Sequence, residues 1–477
     1  MLEKACSKSF FHAEGGSCLA EDNTTECLLF PEFLGKPIVV QCDDHRGSSD
    51  GGGLLLRAAD ARIGLTDSLA AALRDQRDSN RISHEMVELL TQRVMAIALG
   101  YADCNDAARL AEDPIHKMLV GRDPIEGEPL ASQPTLSRFE NSVGRKDLYR
   151  MGDALADVVI ERHRKRLHGR AKRITIDLDP TDDPTHGAQQ LALFNGHYDS
   201  WCYLPVVGFM SFDDEPDQYL FAAVLRAGNA PAKLGAIGIL RRVLGKLREA
   251  FPNARFRVRL DGGFASADMF AFLDGQEDLD YAVAMAKNAV LDRRAKKLMR
   301  KARRLSRLTE KTAHVYGECQ YAAKTWSGKR RVIIKAEVVR HPGREPKDNS
   351  RFVVTNLRQT PQWIYERVYC QRGEVENRIK ELHHGLEMDR TSCPSFWANQ
   401  LRVLMTAAAY VLIQEIRIRL SRSSSARAQV STIRDRFLKI GARVIESVRR
   451  IVVHLPASFP HFADWRKLAL ELGAATG

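Results

Sequence analysis

The sequence lacks the features that would tie it to a secreted or membrane setting. Its nine cysteines include no C-x-x-C pair. An odd number without short spacings excludes a disulfide framework and a zinc ribbon, and points to a reducing compartment. The longest apolar run, "LMTAAAYVLI" at 404–413, is about half of the roughly 20 residues that cross a bilayer, so a buried helix is expected there. The opening "MLEKACSKSFFHAEGG" has no continuous apolar core of the kind a signal peptide needs. Gly51–Gly53 is not followed by Gly-Lys-Ser/Thr, so a phosphate loop is missing too. No internal repeat is visible. The expectation is a soluble, cytoplasmic protein with no membrane partner.

What the chain has in excess is positive charge. Its 477 residues carry 72 Lys and Arg against 60 Asp and Glu, a net charge of +12. A polyanionic partner follows, and nucleic acid fits better than a membrane surface. At this length roughly two to four domains are expected.

Residues 1–75 are poorly periodic and read as an irregular N-terminal segment. Within it "PIVVQCDDHRG" resembles a strand running into a turn, and "SSDGGGLLLRAADARIGL" a glycine-rich turn opening a helix. Residues 76–168 read as a helical DNA-binding or assembly region. Met86, Leu89, Leu90, Val94 and Ile97 recur at helical spacing, with Gly100 as a C-cap. "SQPTLSRFENSVG" reads as a cap, a short helix and a glycine stop. It fits either a recognition helix with Ser137 and Arg138 toward DNA or a plain helical hairpin.

The rhythm then changes to alternation. In "KRITIDLD", Ile174, Ile176 and Leu178 face one way and Thr175, Asp177 and Asp179 the other. "ARFRVRLDGGF" repeats this, with Phe256, Val258 and Leu260 opposed to Arg257, Arg259 and Asp261. With strands at "WCYLPVVGFMSF", "YLFAAVLRAG" and "LDYAVAMAK" and a helix at 233–250, residues 169–286 form the first part of a mixed α/β sheet. Residues 287–365 read as an insertion: a basic helix over 290–311, then three β-type segments. Helical pattern returns over 366–420, and 421–477 reads as a Ser/Arg-rich linker and a small, basic helical tail.

Asp177, Asp179 and Asp261 stand at strand ends just before turn residues, at the rim of a sheet. In "RVYCQRGEVENRIKELHHGLEMD", Val375, Ile379, Leu382 and Leu386 form a helical stripe, and Tyr369, Arg372 and Glu376 share a neighbouring face. Carboxylates converging at such a rim can hold a pair of Mg²⁺ ions, which prefer oxygen ligands. A strand-end Asp before Gly-Gly or Pro is also ordinary turn chemistry, and Arg372 can simply pair with Glu376 across one turn.

In their order, "IDLDPTDDPTHG", "FNGHYDSWCY", "RLDGGFAS" and "YCQRGEVENRIKEL" resemble DDE transposases of bacterial insertion sequences, and more narrowly the insertion-sequence 1380 family. "DGGGLLLR", "LGYADCNDAARLAEDP" and "RDRFLKIGARVIESVRRIVVHLPASFP" extend the resemblance over about residues 50–470. It implies an RNase H-like core interrupted by a β-rich insertion. It also implies catalytic Asp, Asp and Glu residues that bind two Mg²⁺ or Mn²⁺ ions. The second acid falls on Asp261 and the last on Glu376; for the first, Asp179 and Asp177 both stand, with the wording favouring Asp179.

Related transposases carry Y-x2-R-x3-E-x6-K on the last helix. Tyr369, Arg372 and Glu376 match it, His383 stands at the lysine position, and Lys380 lies about one turn earlier. The implied role is contact with the DNA backbone near the cut. In the insertion, Arg293, Lys296, Lys297, Arg300, Lys301 and Arg304 share one stripe, backed by Leu291, Leu298, Leu305 and Leu308, which suits phosphate tracking. Trp326 is the candidate to stack an extruded base, beside an ordinary core role. The implied partners are double-stranded DNA, as terminal inverted repeats and target, and a second copy of the chain; the implied setting is a bacterial nucleoid. A repressor that no longer catalyses, and a nuclease without strand transfer, are the alternative readings.

Overall fold

The computed structural model describes residues 28–30, 38–41, 43–423 and 425–475. The chain divides into two compact units, residues 1–45 and 46–477. In the first, Leu28–Phe30 pairs antiparallel with Ile38–Val40, the strand expected in "PIVV". The opening segment 1–27 lies outside the described residues.

In the second unit the triple glycine opens α1 (Gly53–Ile63). Its purpose is close approach. The Gly51 and Gly52 amides donate to the Ile440 and Leu438 carbonyls at 2.8 and 3.1 Å. A Cβ on Gly52 would lie 1.8 Å from the Phe437 carbonyl oxygen, so no larger residue fits without moving that backbone. α2 (Met86–Leu99) ends at Gly100 with φ of 99°, the left-handed cap expected there. α3 (Gln133–Ser142) and α4 (Arg145–Arg166) follow. α3 buries Leu136, Phe139 and Glu140, while Arg138 stays exposed and bonds Thr135.

The sheet is built from β1 (Arg173–Pro180), β2 (Val206–Phe212) and β3 (Tyr219–Val224), then, after α5 (Ala236–Ala250), β4 (Arg255–Leu260) and β5 (Leu279–Met285). α6 (Ala289–Thr309) leads into β6 (Ala313–Tyr321), β7 (Arg330–Val339) and β8 (Lys347–Thr355). These eight strands form one sheet in the order β6-β7-β8-β5-β4-β1-β2-β3. β1, β4 and β5 are parallel; every other pairing is antiparallel. The strands of the expected insertion therefore do not stand apart: β8 pairs with β5, Ala282 opposite Thr355, and extends the central sheet.

α7 (Phe396–Arg419) contains the apolar run and is buried along almost its whole length. No helix among the described residues is long and apolar enough to cross a membrane. α7 also closes the edge strand. Gln400 accepts from the Leu225 amide and donates to the Ala223 carbonyl, and Gln414 does the same for Leu220 and Gln218. Side-chain amides thus replace the missing neighbour of β3, a protected edge. Glu140 of α3 is buried between Arg93 of α2 and Arg402 of α7, at 2.9 and 3.0 Å, which joins three helices through one carboxylate.

The tail, expected to be helical, also contains a β-hairpin. β9 (Ala442–Ser447) and β10 (Arg450–His454) form a hairpin, extended by Gly47–Ser48; helix is kept before it, where Val430–Ile433 runs into the π-helical Arg434–Leu438, and after it, in α8 (Phe462–Glu471). The β-branched residues of "ARVIES" and "RIVVH" favour extended backbone over helix.

Candidate active site

Parallel register sets the first two acids side by side. Leu178 of β1 lies opposite Leu260 of β4, so Asp179 and Asp261 follow at the same level on neighbouring strands. Asp261 is held by its own turn: its Oδ1 accepts from the Gly263 amide at 2.9 Å. A Cβ on Gly263 would come within 2.7 Å of Ala232 Cβ, which accounts for the second glycine of "DGG".

Over this end of the sheet runs a helical stretch from Pro361 to Gly385. It is not one regular helix. Ile364–Tyr369 and Glu381–Gly385 are π-helical, Cys370–Gly373 is 3-10, and Glu374–Lys380 is α. Such changes of pitch rotate successive side chains relative to a plain helix and recur at functional sites. Val375, Leu382 and Leu386 are buried and Ile379 packs against the core, as their spacing predicts. On the neighbouring face Tyr369 and Arg372 are half-buried and Glu376 is exposed.

Arg372 ties the constellation together. Its Nη2 lies 2.6 Å from Asp179 Oδ1 and 4.0 Å from Asp261 Oδ2. Burial pushes the Asp179 carboxyl up to about 7; Arg372 opposes this, while Asp261, Glu376 and Asp177 reinforce it. The charge of Glu376 therefore reaches Asp179. Burial also raises Tyr369, offset in part by Arg372.

Asp177 has different surroundings. It is fully buried, and Arg259, directly opposite on β4, grips its two oxygens through Nε and Nη2 at 2.7 and 2.6 Å. Gln218 adds a bond at 3.0 Å, and the remaining Arg259 nitrogen donates to the Val368 carbonyl of the helical stretch at 3.1 Å. Both oxygens of Asp177 are thus already bound within the protein.

His383 faces the loop after β1, with Nε2 3.1 Å from Thr181 Oγ1 and Nδ1 3.7 Å from Asp389. Lys380 is exposed. Trp326 is packed rather than free: its ring lies 4.7 Å from Phe270 and 5.4 Å from Tyr321, with Arg330 over it at 5.1 Å. Trp326→Ala is expected to cost about 3 kcal/mol of stability, read by denaturant unfolding. DNA affinity per folded molecule should stay unchanged.

All six basic residues of the α6 stripe, Arg293, Lys296, Lys297, Arg300, Lys301 and Arg304, are exposed. The backing expected from leucines is half right: Leu291 is buried and Leu298 packs on the core. Leu305 and Leu308 are exposed instead, because the buried row runs Leu291, Ala295, Met299, Ala302, Ser306. Leu308, two residues beyond Ser306, points about 200° away around the helix.

Three residues near the site are not singled out by the sequence, although Tyr198 lies within the "FNGHYDSWCY" motif. Arg259 and Gln218 are polar residues whose importance depends on register. Tyr198, raised to about 12 by burial and then by Asp182, Asp179 and Asp261, borders the acids from the loop between β1 and β2. In that loop Asp183 is buried, accepts from Thr391 at 2.9 Å, and is raised to about 8 by burial. A carboxyl raised this far favours its neutral form in the folded state. It therefore contributes stability below the unfolded value near 4, and this is lost as pH rises toward 8. Asp183→Asn is expected to gain on the order of 2 kcal/mol at pH 8 and nothing at pH 4, read from melts at both pH values.

Asp179 and Asp261 offer an all-oxygen donor set, suited to a hard divalent cation, and a guanidinium lies beside both. Among the described residues no three His, Cys, Asp or Glu side chains are gathered to hold a metal ion as they stand. The cationic group within reach of both acids is Arg372. No curated protein matches the chain. The family model described as "Transposase DDE domain group 1" matches residues 30–475, nearly the whole chain, and the protein belongs to that transposase family.

Proposed function

We propose that this chain is a DNA transposase that cuts at terminal inverted repeats and joins the freed 3′-OH ends to target DNA. The observation that carries this reading is the meeting of Asp179, Asp261 and Arg372 at the ends of two parallel strands, with Glu376 on the same helical stretch as Arg372. The sheet order β3-β2-β1-β4-β5, with β2 antiparallel to its neighbours, supports an RNase H-like core. The ordered sequence motifs support placement in the insertion-sequence 1380 family.

In this reading Asp179, Asp261 and Glu376 are the acids that would hold Mg²⁺ or Mn²⁺. Two such ions stabilise the entering and leaving oxygens of an in-line phosphoryl displacement. Asp177 is assigned a different task, because both of its oxygens are engaged by Arg259 and Gln218. Arg372 keeps its charge at any working pH and can grip a phosphate with two parallel bonds. Its guanidinium would pass from Asp179 to the DNA backbone as substrate enters, leaving the acid free. His383, at the position where a lysine is expected, is bonded toward Thr181.

Two ends must be cut and joined together, so a homodimer on DNA is part of the proposal. The α6 stripe is assigned to tracking phosphates. Replacing Lys296, Lys297, Arg300 and Lys301 by Gln is expected to flatten the plot of log affinity against log salt. Every DNA phosphate that the variant no longer neutralises should take about 0.9 off the slope. The test of the function is incubation of the full chain with inverted-repeat DNA and a target plasmid, with Mg²⁺ or with chelator. Metal-dependent nicking at the repeat end followed by covalent joining is expected. Nicking without joining would assign a nuclease, and binding without nicking a repressor.

A further inference from the structure

The sheet face that carries Asp177 holds a second set of polar residues, farther from the acids. Two rows of cross-strand neighbours can be compared there. In one, Arg259 of β4 lies opposite Asp177 of β1, and the charges meet at hydrogen-bonding distance. Two residues earlier, Arg257 lies opposite Thr175, and Thr175 opposite Ser211 of β2. A hydroxyl thus stands in the second row where the first has a carboxylate.

Arg257 is only 6 % exposed, and its Nε has no hydrogen-bond partner. On its other side Asp280 is 4.0 Å away and is shared with Arg255. Burial and then the Arg173 charge push the Arg257 guanidinium down to about 10; Asp280 and Asp214 oppose this, and Arg259 adds to it. A buried guanidinium whose carboxylate neighbour stands at 4.0 Å, too far for a hydrogen bond, gains from an anion that makes direct contact.

Arg257, Thr175 and Ser211 open onto a cavity of about 860 Å³. Its other arginines are already partnered, with one exception. Arg166 pairs with Glu215, Arg173 with Asp214, Arg259 with Asp177, and Arg378 and Arg417 with Glu381. Arg427 is the exception, exposed at the opening. Of the remaining acids that line it, Asp213 accepts from the Lys172 and Arg173 amides and Glu374 from Asn377, while Asp217 lies beside Arg166. At the floor the buried Arg257 guanidinium has no carboxylate at hydrogen-bonding distance, Asp280 standing 4.0 Å away.

We propose that this cavity is a binding site for a phosphate-class oxyanion, held by the Arg257 guanidinium with the Thr175 and Ser211 hydroxyls as further donors. The site is separate from the acid constellation, and the inference does not depend on the transposase reading. A phosphate group can come from solution or from a nucleic-acid backbone; both present the same oxygens.

The test uses the full chain, melted with and without inorganic phosphate at constant ionic strength, with calorimetric titration of phosphate. Wild type is expected to melt higher with phosphate. Arg257→Gln should bind phosphate about 10- to 100-fold more weakly and lose the shift, yet melt no lower than wild type in phosphate-free buffer. Thr175→Asp, which supplies an internal carboxylate opposite Arg257, should melt higher without phosphate and also lose the response. Competition between a short DNA duplex and inorganic phosphate assigns the site to the backbone; independent binding assigns it to free phosphate. An unchanged phosphate response in Arg257→Gln or in Thr175→Asp overturns the proposal.

Discussion

Asp179→Asn, Asp261→Asn and Glu376→Gln are each expected to reduce cleavage of inverted-repeat DNA by at least about 1,000-fold, or roughly 4 kcal/mol of transition-state stabilisation. DNA affinity should stay within about threefold, because each change removes one negative charge next to a polyanion and leaves every cation that faces a phosphate in place. Asp177 is the internal comparison. It sits on the same strand and the same face as Asp179, but its carboxylate is spent on Arg259 and Gln218. Asp177→Asn should therefore show its main loss in stability, with cleavage per folded molecule falling far less. Gel-based cleavage alongside filter binding separates the two outcomes. Equal loss of cleavage in Asp177→Asn and Asp179→Asn would sink the assignment of Asp179 as the first acid.

The contrast between these two aspartates marks what a single sequence can carry. Alternation in "KRITIDLD" and "ARFRVRLDGGF" correctly puts Asp177 and Asp179 on one face and Arg257, Arg259 and Asp261 on another strand's equivalent face. Alternation has a period of two and says nothing about which residue stands across the gap. Only register makes Arg259 the partner of Asp177, and register depends on strands far apart in the chain. The same gap hides the extension of the sheet: β6, β7 and β8 are legible as strands, but their pairing through β8 onto β5 is not.

Other departures have local causes. The turns of π and 3-10 helix around Gly373 leave a spacing that reads as ordinary helix, because hydrophobic periodicity tolerates a residue of slippage per turn. Trp326 is ambiguous in the sequence because an aromatic in a loop serves a core as readily as a ligand; Phe270, 56 residues earlier in the chain, packs against its ring. The tail's charge and flanking helical pattern suggest helix throughout, and they mask its β-branched hairpin. What the ordered motifs do carry is the family, since they sample strand ends, a glycine turn and a helix face together.

Breaking the Asp177–Arg259 pair is expected to have the largest effect on the fold. Asp177→Leu and Arg259→Met should each cost about 3–5 kcal/mol, because each leaves the opposite charge buried without its partner. Side-chain exposures of 1 % and 5 % leave water little access to either one. The double variant Asp177→Leu/Arg259→Met should regain most of that loss, since two apolar side chains of similar bulk remove both desolvation costs together. Denaturant unfolding of the two single variants and the double closes the cycle. Cleavage should not recover in parallel. Arg259 also donates to the Val368 carbonyl, joining both acid-bearing strands to the helical stretch that carries Glu376. A methionine restores packing there without that bond. Stability regained with cleavage still reduced would make this pair the brace that sets the spacing of the acids, whereas full recovery of both would reduce it to packing.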